Sequence, residues 1–373
     1  MRVLIYAPAA RMGGARAHVL GLLPELATIA PEEDQFLLIA QPDLIADLPG
    51  LPPTWLLRSE QAEARGFLRR LAWEQRLLPR VAERWRADVL LSFGAYVPLS
   101  SECPSVLEAG NALYFTRAYW QVLEREPLRL RLEERARWSL LRASLRAAER
   151  VLTPTRAMRT DVVTRLPSLG PKIDVALWGV APIFHRVRWR QPTGETILGV
   201  SKHSINKEFD VLIAALPHLR GRWPDVRLVL TGTADESRWS RRSVTLARQL
   251  GVLDRVCFAG DVPNADIPDL VQRSRVLVFP TWCESFGLPL AEALAMGAPA
   301  IAADIPACRE VGGDAATYYA PGDAHSLAER IADVLAAPES ADGVAQRAYE
   351  RGRLFQWRDN ALGVRGSLLR AAA

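Results

Sequence analysis

The chain has 373 residues, 49% of them apolar and 24% charged, and a formal net charge of +5. That length exceeds one ordinary core and suits two domains, and the composition is globular, which excludes a disordered or fibrous chain. No stretch approaches the roughly 20 uncharged apolar residues of a membrane span.

The four cysteines (Cys103, Cys257, Cys283, Cys308) are scattered, with no CxxC pair, so reduced thiols are expected and not a disulfide framework. Arginine supplies 44 of the 47 basic residues and lysine only three. Charge alone would permit nucleic-acid binding, but no zinc spacing, RNP-like aromatic motif or basic tail accompanies it, and no nucleic-acid partner is expected.

MRVLIYAPAA is an apolar run too short for a signal-peptide core, and residues 2–6 read as a first strand. A glycine-bearing loop follows, then a helical pattern from about Ala15 to Ala30. Further apolar strand runs fall at 36–40, 88–93, 104–109, 150–154 and 173–177, with helical stretches at 62–86 and 126–149. Residues 178–195, WGVAPIFHRVRWRQPTGE, have two prolines and no period and read as a linker. The pattern then restarts, with strands expected at 197–201, 227–232, 255–260, 275–280 and 299–304. Helices fit 208–220, 237–250, 264–273, 288–296 and 323–337, and 353–372 is amphipathic.

Strands apolar throughout, alternating with helices, predict parallel sheets covered on both faces. The expected fold is α/β, with Rossmann-like domains at 1–180 and 196–352 facing across a cleft. The last segment, 353–373, is expected to return and pack across both. Open sheets of this kind bind ligands at the carboxyl ends of their strands, so the chemistry belongs in the strand-to-helix loops.

Three loops stand out. Gly13 and Gly14, in ARMGGARAH, open a helix where backbone N–H groups and the helix dipole could meet a phosphate, although GxGxxG is absent. A plain turn explains a glycine pair as well, and His18 reads as a packed helix residue. In VSKHSINKEFD, Lys202 and Lys207 place two of the three lysines five residues apart, which suits a diphosphate better than a solvated charge pair. In PTWCESFGLPLAEAL, a strand leads through Glu284 into a helix with Pro289 in its first turn and Glu292 in its opening turn. A carboxylate accepts two hydrogen bonds at once and so binds vicinal hydroxyls, while Glu292 could equally complement the helix dipole.

The run ESFGLPLAEALAMGAPAIAADIPACREVGG (284–313) resembles the donor-site signature of the retaining group-1 glycosyltransferases, two glutamates separated by seven residues. GGARAHV (13–19), VSKHSINKEFDVLIAAL (200–216) and WGVAPIF (178–184) are similar to that family's glycine loop, diphosphate-binding segment and interdomain junction. The resemblance implies the GT-B fold and specific roles. Gly14 would offer its amide to the distal phosphate, and Lys202, where the family usually has arginine, would with Lys207 neutralise the diphosphate. Glu284 would hold donor-sugar hydroxyls near the backbone of Phe286, Gly287 and Leu288. Glu292 would bind the ribose, and the backbone of 259–262 would meet the base. One departure is plain. The family's sugar-contacting histidine after the fourth strand is missing from VLEAGNALYF (106–115), where Glu108 or Asn111 is the candidate substitute.

The resemblance therefore implies transfer of a sugar, with retention, from a UDP- or GDP-sugar to a glycan or lipid-linked acceptor. Bacterial surface polysaccharide synthesis in the cytoplasm is the expected setting. No Asp-x-Asp triplet is present, so lysines are expected in place of a divalent cation, and no cofactor is implied. A sugar-nucleotide epimerase and an inactive glycan-assembly subunit are the rival readings. The basic amphipathic segment 64–86, with Phe67, Leu68, Leu71, Trp73, Leu77 and Leu78, fits either peripheral contact with an anionic membrane or an ordinary helix with one core face.

Overall fold

The computed structural model describes residues 1–8, 10, 13–48, 50–60, 66–94, 96–336 and 341–373. Arg11 and Met12 of the glycine loop, residues 62–65 and residue 337 lie outside the described residues. The chain forms two compact units, one from Met1–Gly179 with Gln356–Ala373, the other from Val180–Phe355.

Seven strands build the first unit's sheet: β1 (Arg2–Ala7), β2 (Gln35–Ala40), β3 (Leu56–Ser59), β4 (Val89–Ser92), β5 (Ser105–Glu108), β6 (Arg150–Thr153) and β7 (Ile173–Val175). All pair in parallel, in the order β3-β2-β1-β4-β5-β6-β7. β1 is buried from Val3 to Ala7, as a strand covered on both faces must be. β3 has no counterpart among the expected strands. Its LLRS is exposed along its length at the sheet edge, so no burial pattern marks it.

The helix expected at 62–86 is described over Phe67–Trp85 and follows Gly66. Its Trp73 and Leu78 join Leu4, Tyr6 and Ile39 in the core, so much of its apolar stripe is an ordinary core face. Leu68 and Leu77 stay exposed.

The last helix, Trp357–Ala372, packs on the helix Gly13–Ile29 and on β4 to β7. A Cβ on Gly21 would lie 2.1 Å from the Trp357 ring, so this close crossing requires glycine. The helix before it, Ala341–Gly352, packs instead on Leu288–Met296 in the second unit.

The second unit has six strands: β8 (Thr196–Gly199), β9 (Arg227–Leu230), β10 (Val256–Phe258), β11 (Val276–Phe279), β12 (Ala300–Ala303) and β13 (Thr317–Tyr319). They too are parallel, in the order β10-β9-β8-β11-β12-β13. β13, at only three residues, was not among the expected strands. Of the residues read as a linker, Trp178 and Gly179 belong to the first unit and those from Val180 on are built into this one. Trp189 N donates to Met296 O at 2.7 Å, and its buried indole donates to Ser274 O at 3.0 Å.

The helix Leu288–Met296 is apolar nearly all round and is covered on every side, a wedge between sheet and outer helix. Leu290 and Leu294 are fully buried, each contributing about 2 kcal/mol. In each sheet the strand order reverses beside the first strand, between β1 and β4 and between β8 and β11. The crevice outside the carboxyl ends of such a pair is where open α/β sheets take ligands.

Candidate active site

Between β8 and β11 the two loops are stitched together. Lys207 and Thr281 form an antiparallel bridge, Glu208 N donates to Pro280 O at 3.0 Å, and Trp282 N donates to Asn206 O at 3.1 Å. The Trp282 indole donates to Ile205 O at 3.0 Å. Glu284 is held at the centre of this seam. Its Oε1 takes the Lys207 ammonium and the Asn206 amide at 3.2 Å, with the Thr281 hydroxyl 3.1 Å away. The Lys207 and Glu284 side chains are only 10% and 14% exposed, and the Lys207 ammonium lies 4.4 Å from the centre of the Phe279 ring. Lys207 and Glu284 were legible in the sequence. Asn206 and Thr281, which complete the carboxylate's shell, were not, although each adjoins a residue that was or lies within the motif.

Gly287 sits at φ +99 immediately before the helix, and a Cβ there would lie 2.9 Å from the Phe279 ring. Only glycine makes this turn comfortably, and the turn aims the first amides of the helix Leu288–Met296 past its N-terminus. Pro289 occupies the first turn as expected. Glu292 does not. The helix starts at Leu288, so Glu292 is its fifth residue, beyond the first turn where a carboxylate offsets the dipole. It is 6% exposed, and burial raises its pKa from 4.5 to about 8. Phe286 is fully buried, edge-on to Phe355, so its ring belongs to the core.

The two lysines do not converge on each other. Lys202 is exposed and lines a cavity of about 310 Å³ with His203, Thr233, Glu236, Ser237 and Asp261, at the carboxyl ends of β8, β9 and β10. Lys207 turns toward β11 and Glu284. Asp261 falls inside the stretch read as meeting a base.

In the first unit Gly13 and Gly14 are the opening residues of the helix Gly13–Ile29 at the end of β1, with Gly13 at φ +62 and exposed. Asn111 is exposed after β5, where its side chain accepts from Leu113 N at 3.1 Å. Glu108, the last residue of β5, is 8% exposed, and its Oε1 accepts from the Trp178 indole at 3.2 Å. Burial raises its pKa to about 8. His18 lies 3.8 Å from that oxygen, stacked between Trp178 and Trp357, and bonds through Nε2 to Asn360 at 3.1 Å. Burial lowers its pKa to about 3, so the ring is neutral and packed, as expected of it. Among the described residues no group of three or more His, Cys, Asp or Glu side chains is placed to hold a metal, and no helix is long and apolar enough to cross a membrane.

Residues 183–351 match the family model of group 1 glycosyl transferases. That match takes in nearly the whole of the second unit. The loops that hold Lys202, Lys207, Glu284 and Glu292 all lie inside that match. A phosphatidyl-myo-inositol mannosyltransferase of Mycolicibacterium smegmatis is 31% identical over 189 residues, covering 50% of this chain and 47% of the relative. The O-antigen chain mannosyltransferase B of Escherichia coli is 24% identical over 263 residues, covering 68% of this chain and 64% of its own. The chain thus spans less than two thirds of either relative. The crystal structure of Anabaena HepE in complex with UDP-glucose superposes with a TM-score of 0.74, covering 99% of each chain at 18% identity. That likeness extends the GT-B fold of glycosyltransferases over the first unit as well as the second.

Proposed function

We propose that this chain moves a sugar from a UDP- or GDP-sugar to a glycan or lipid-linked acceptor, retaining the configuration at the anomeric carbon. The observation that carries the reading is the seam at β8 and β11. It holds one carboxylate, one nearly buried ammonium and a helix N-terminus at the point where this architecture takes ligands. In this reading the cavity beside Lys202 receives the nucleotide, and Lys202 and Lys207 face the diphosphate. Glu284 keeps one oxygen on Lys207 and Asn206 and turns the other to sugar hydroxyls, beside the backbone of Phe286, Gly287 and Leu288. Glu292 takes the ribose hydroxyls. The first unit takes the acceptor; Gly13 and Gly14 remain the candidates for the distal phosphate of the donor, and Glu108 or Asn111 for the place of the family's sugar-contacting histidine.

As the bond between the anomeric carbon and the phosphate oxygen breaks, positive charge grows on the carbon and negative charge on the leaving phosphate. The two ammonium groups and the helix N-terminus stabilise the latter. The acceptor oxygen bonds to the carbon on the face being vacated, and its proton passes to the leaving phosphate oxygen. The lysines supply the positive charge, so the reading needs no divalent cation. Similarity to an O-antigen chain mannosyltransferase supports a role in surface polysaccharide synthesis.

The test is a thermal-shift screen of UDP- and GDP-sugars followed by hydrolysis assays without acceptor. One donor should raise the melting temperature and be slowly hydrolysed, because a ligand that binds only the folded state stabilises it. A donor that binds but is never turned over, with or without acceptor extracts, would mark an inactive subunit.

A further inference from the structure

A lysine on an exposed loop gives up backbone and side-chain freedom when it grips an anion, and that loss subtracts from affinity. Lys202 is such a residue, yet both its chain neighbours are pinned. Ser201 N donates to Thr231 Oγ1 at 3.0 Å, and that hydroxyl donates back to Ser201 O at 3.2 Å. His203 O accepts from Ser237 Oγ at 3.1 Å, and His203 Nε2 lies 3.2 Å from Thr231 O. Burial lowers the His203 pKa, so the ring is neutral and donates through Nε2.

The remaining tie is a carboxylate. Glu236 Oε1 accepts from His203 N at 2.9 Å and Oε2 accepts from Thr233 N at 3.1 Å, so one side chain joins the loop after β8 to the loop after β9. A Cβ on Gly232, at φ +91, would lie 2.6 Å from Oε2, so the glycine makes room for the carboxylate to close over the loop. Gly232 also exchanges two backbone hydrogen bonds with Gly260, at 2.7 and 3.2 Å, which ties in the loop that carries Asp261.

Glu236 lines the same cavity as Lys202. A negative charge beside an anion-binding lysine costs affinity by Coulomb repulsion, and both its oxygens are already engaged by backbone amides. We infer that Glu236 is a positioning residue of the donor site. It clamps His203 N to Thr233 N and so holds Lys202 in the conformation that meets the diphosphate, an inference that rests on the reading of Lys202 given above. The clamp and a bare charge predict opposite signs for Glu236→Gln. Glutamine offers one acceptor oxygen and turns an amide NH₂ toward the second N–H, so the clamp is half lost while the repulsion disappears.

The experiment measures UDP and GDP affinity by calorimetry, melting temperature, and donor KM and kcat. The proteins compared are wild type, Glu236→Gln, Glu236→Ala, Lys202→Ala and the double variant Glu236→Ala with Lys202→Ala. Both Glu236 variants should bind the nucleotide about three- to tenfold more weakly, the scale of one modest hydrogen-bonded contact. Donor KM should rise by a similar factor, and kcat should fall with it, because Lys202 also stabilises the leaving phosphate. Glu236 is exposed, so melting should stay within about 2 °C of wild type. In the double variant the Glu236 change should add nothing to the loss from Lys202→Ala, since it acts through that residue. Equal or tighter binding by Glu236→Gln overturns the clamp, and so do additive losses in the double variant. If the wild type binds neither nucleotide, or Lys202→Ala binds as wild type does, the reading of Lys202 fails first and the clamp falls with it.

Discussion

Lys207→Ala is the sharpest perturbation of the seam. The Lys207 and Glu284 side chains are 10% and 14% exposed, so their pairing is poorly screened by water. Removing the cation does not strand the carboxylate completely, because Asn206 Nδ2 at 3.2 Å and Thr281 Oγ1 at 3.1 Å still serve Oε1. The full penalty of breaking a buried pair, about 3–5 kcal/mol, is therefore reduced to about 2 kcal/mol. For a unit of this size that lowers the melting temperature by about 4–8 °C without abolishing the transition. The kinetic cost is separate. An ammonium facing a shielded diphosphate contributes about 2–5 kcal/mol, so the initial rate of transfer at saturating donor should fall by about 30-fold or more. Lys207→Arg should restore part of the rate, since it keeps a cation over the Phe279 ring. The assay is initial rate and melting temperature for each variant. Full activity with a lowered melting temperature would show that Lys207 is only the counter-ion of Glu284. The assignment of leaving-group stabilisation to this seam would then be wrong.

Four other outcomes follow from the same geometry. Glu284→Gln keeps most of the local hydrogen bonds but grips sugar hydroxyls more weakly, so turnover should drop strongly while calorimetric affinity for free nucleotide stays nearly constant. Equal losses in both would misplace the residue. Burial holds the Glu292 carboxyl at about 8 against an ordinary 4.5, so the folded state binds its proton more tightly. That contribution to stability is complete below about pH 4.5 and lost as pH rises through about 8. The melting temperature of wild type should therefore fall relative to Glu292→Gln over this window, and parallel curves would show that the carboxyl is not held neutral. Transfer should survive EDTA because lysines carry the positive charge, and recovery of a lost activity on adding magnesium or manganese would refute this. Leu68 and Leu77 are exposed beside Arg69, Arg76 and Arg80, so the protein should float with anionic vesicles and Leu68→Ser should weaken that; no preference for anionic over neutral lipid removes the membrane contact.

How much of this was legible in the sequence depended on the range over which each signal acts. β1, β2, β8 and β11 are buried on both faces, so their apolar runs announced them, whereas β3 is exposed and β13 spans three residues, too few to set a pattern. Glu284 and Lys207 were found because strand-to-helix loops of an open sheet are the place to look. Their pairing was not, because it joins positions 77 residues apart. The bridge from Lys207 to Thr281 turns that lysine toward β11, while Lys202, five residues earlier, is tied through its neighbours to the loop after β9. Two lysines five residues apart are thus held by different partners that sequence spacing does not show. Glu236 makes the same point more sharply. In the sequence it is one more surface glutamate before a helix, and only the fold brings two backbone amides from different loops to its two oxygens. A polar group earns its role in such a site from which donors reach it, and those donors are set by loop closure over tens of residues.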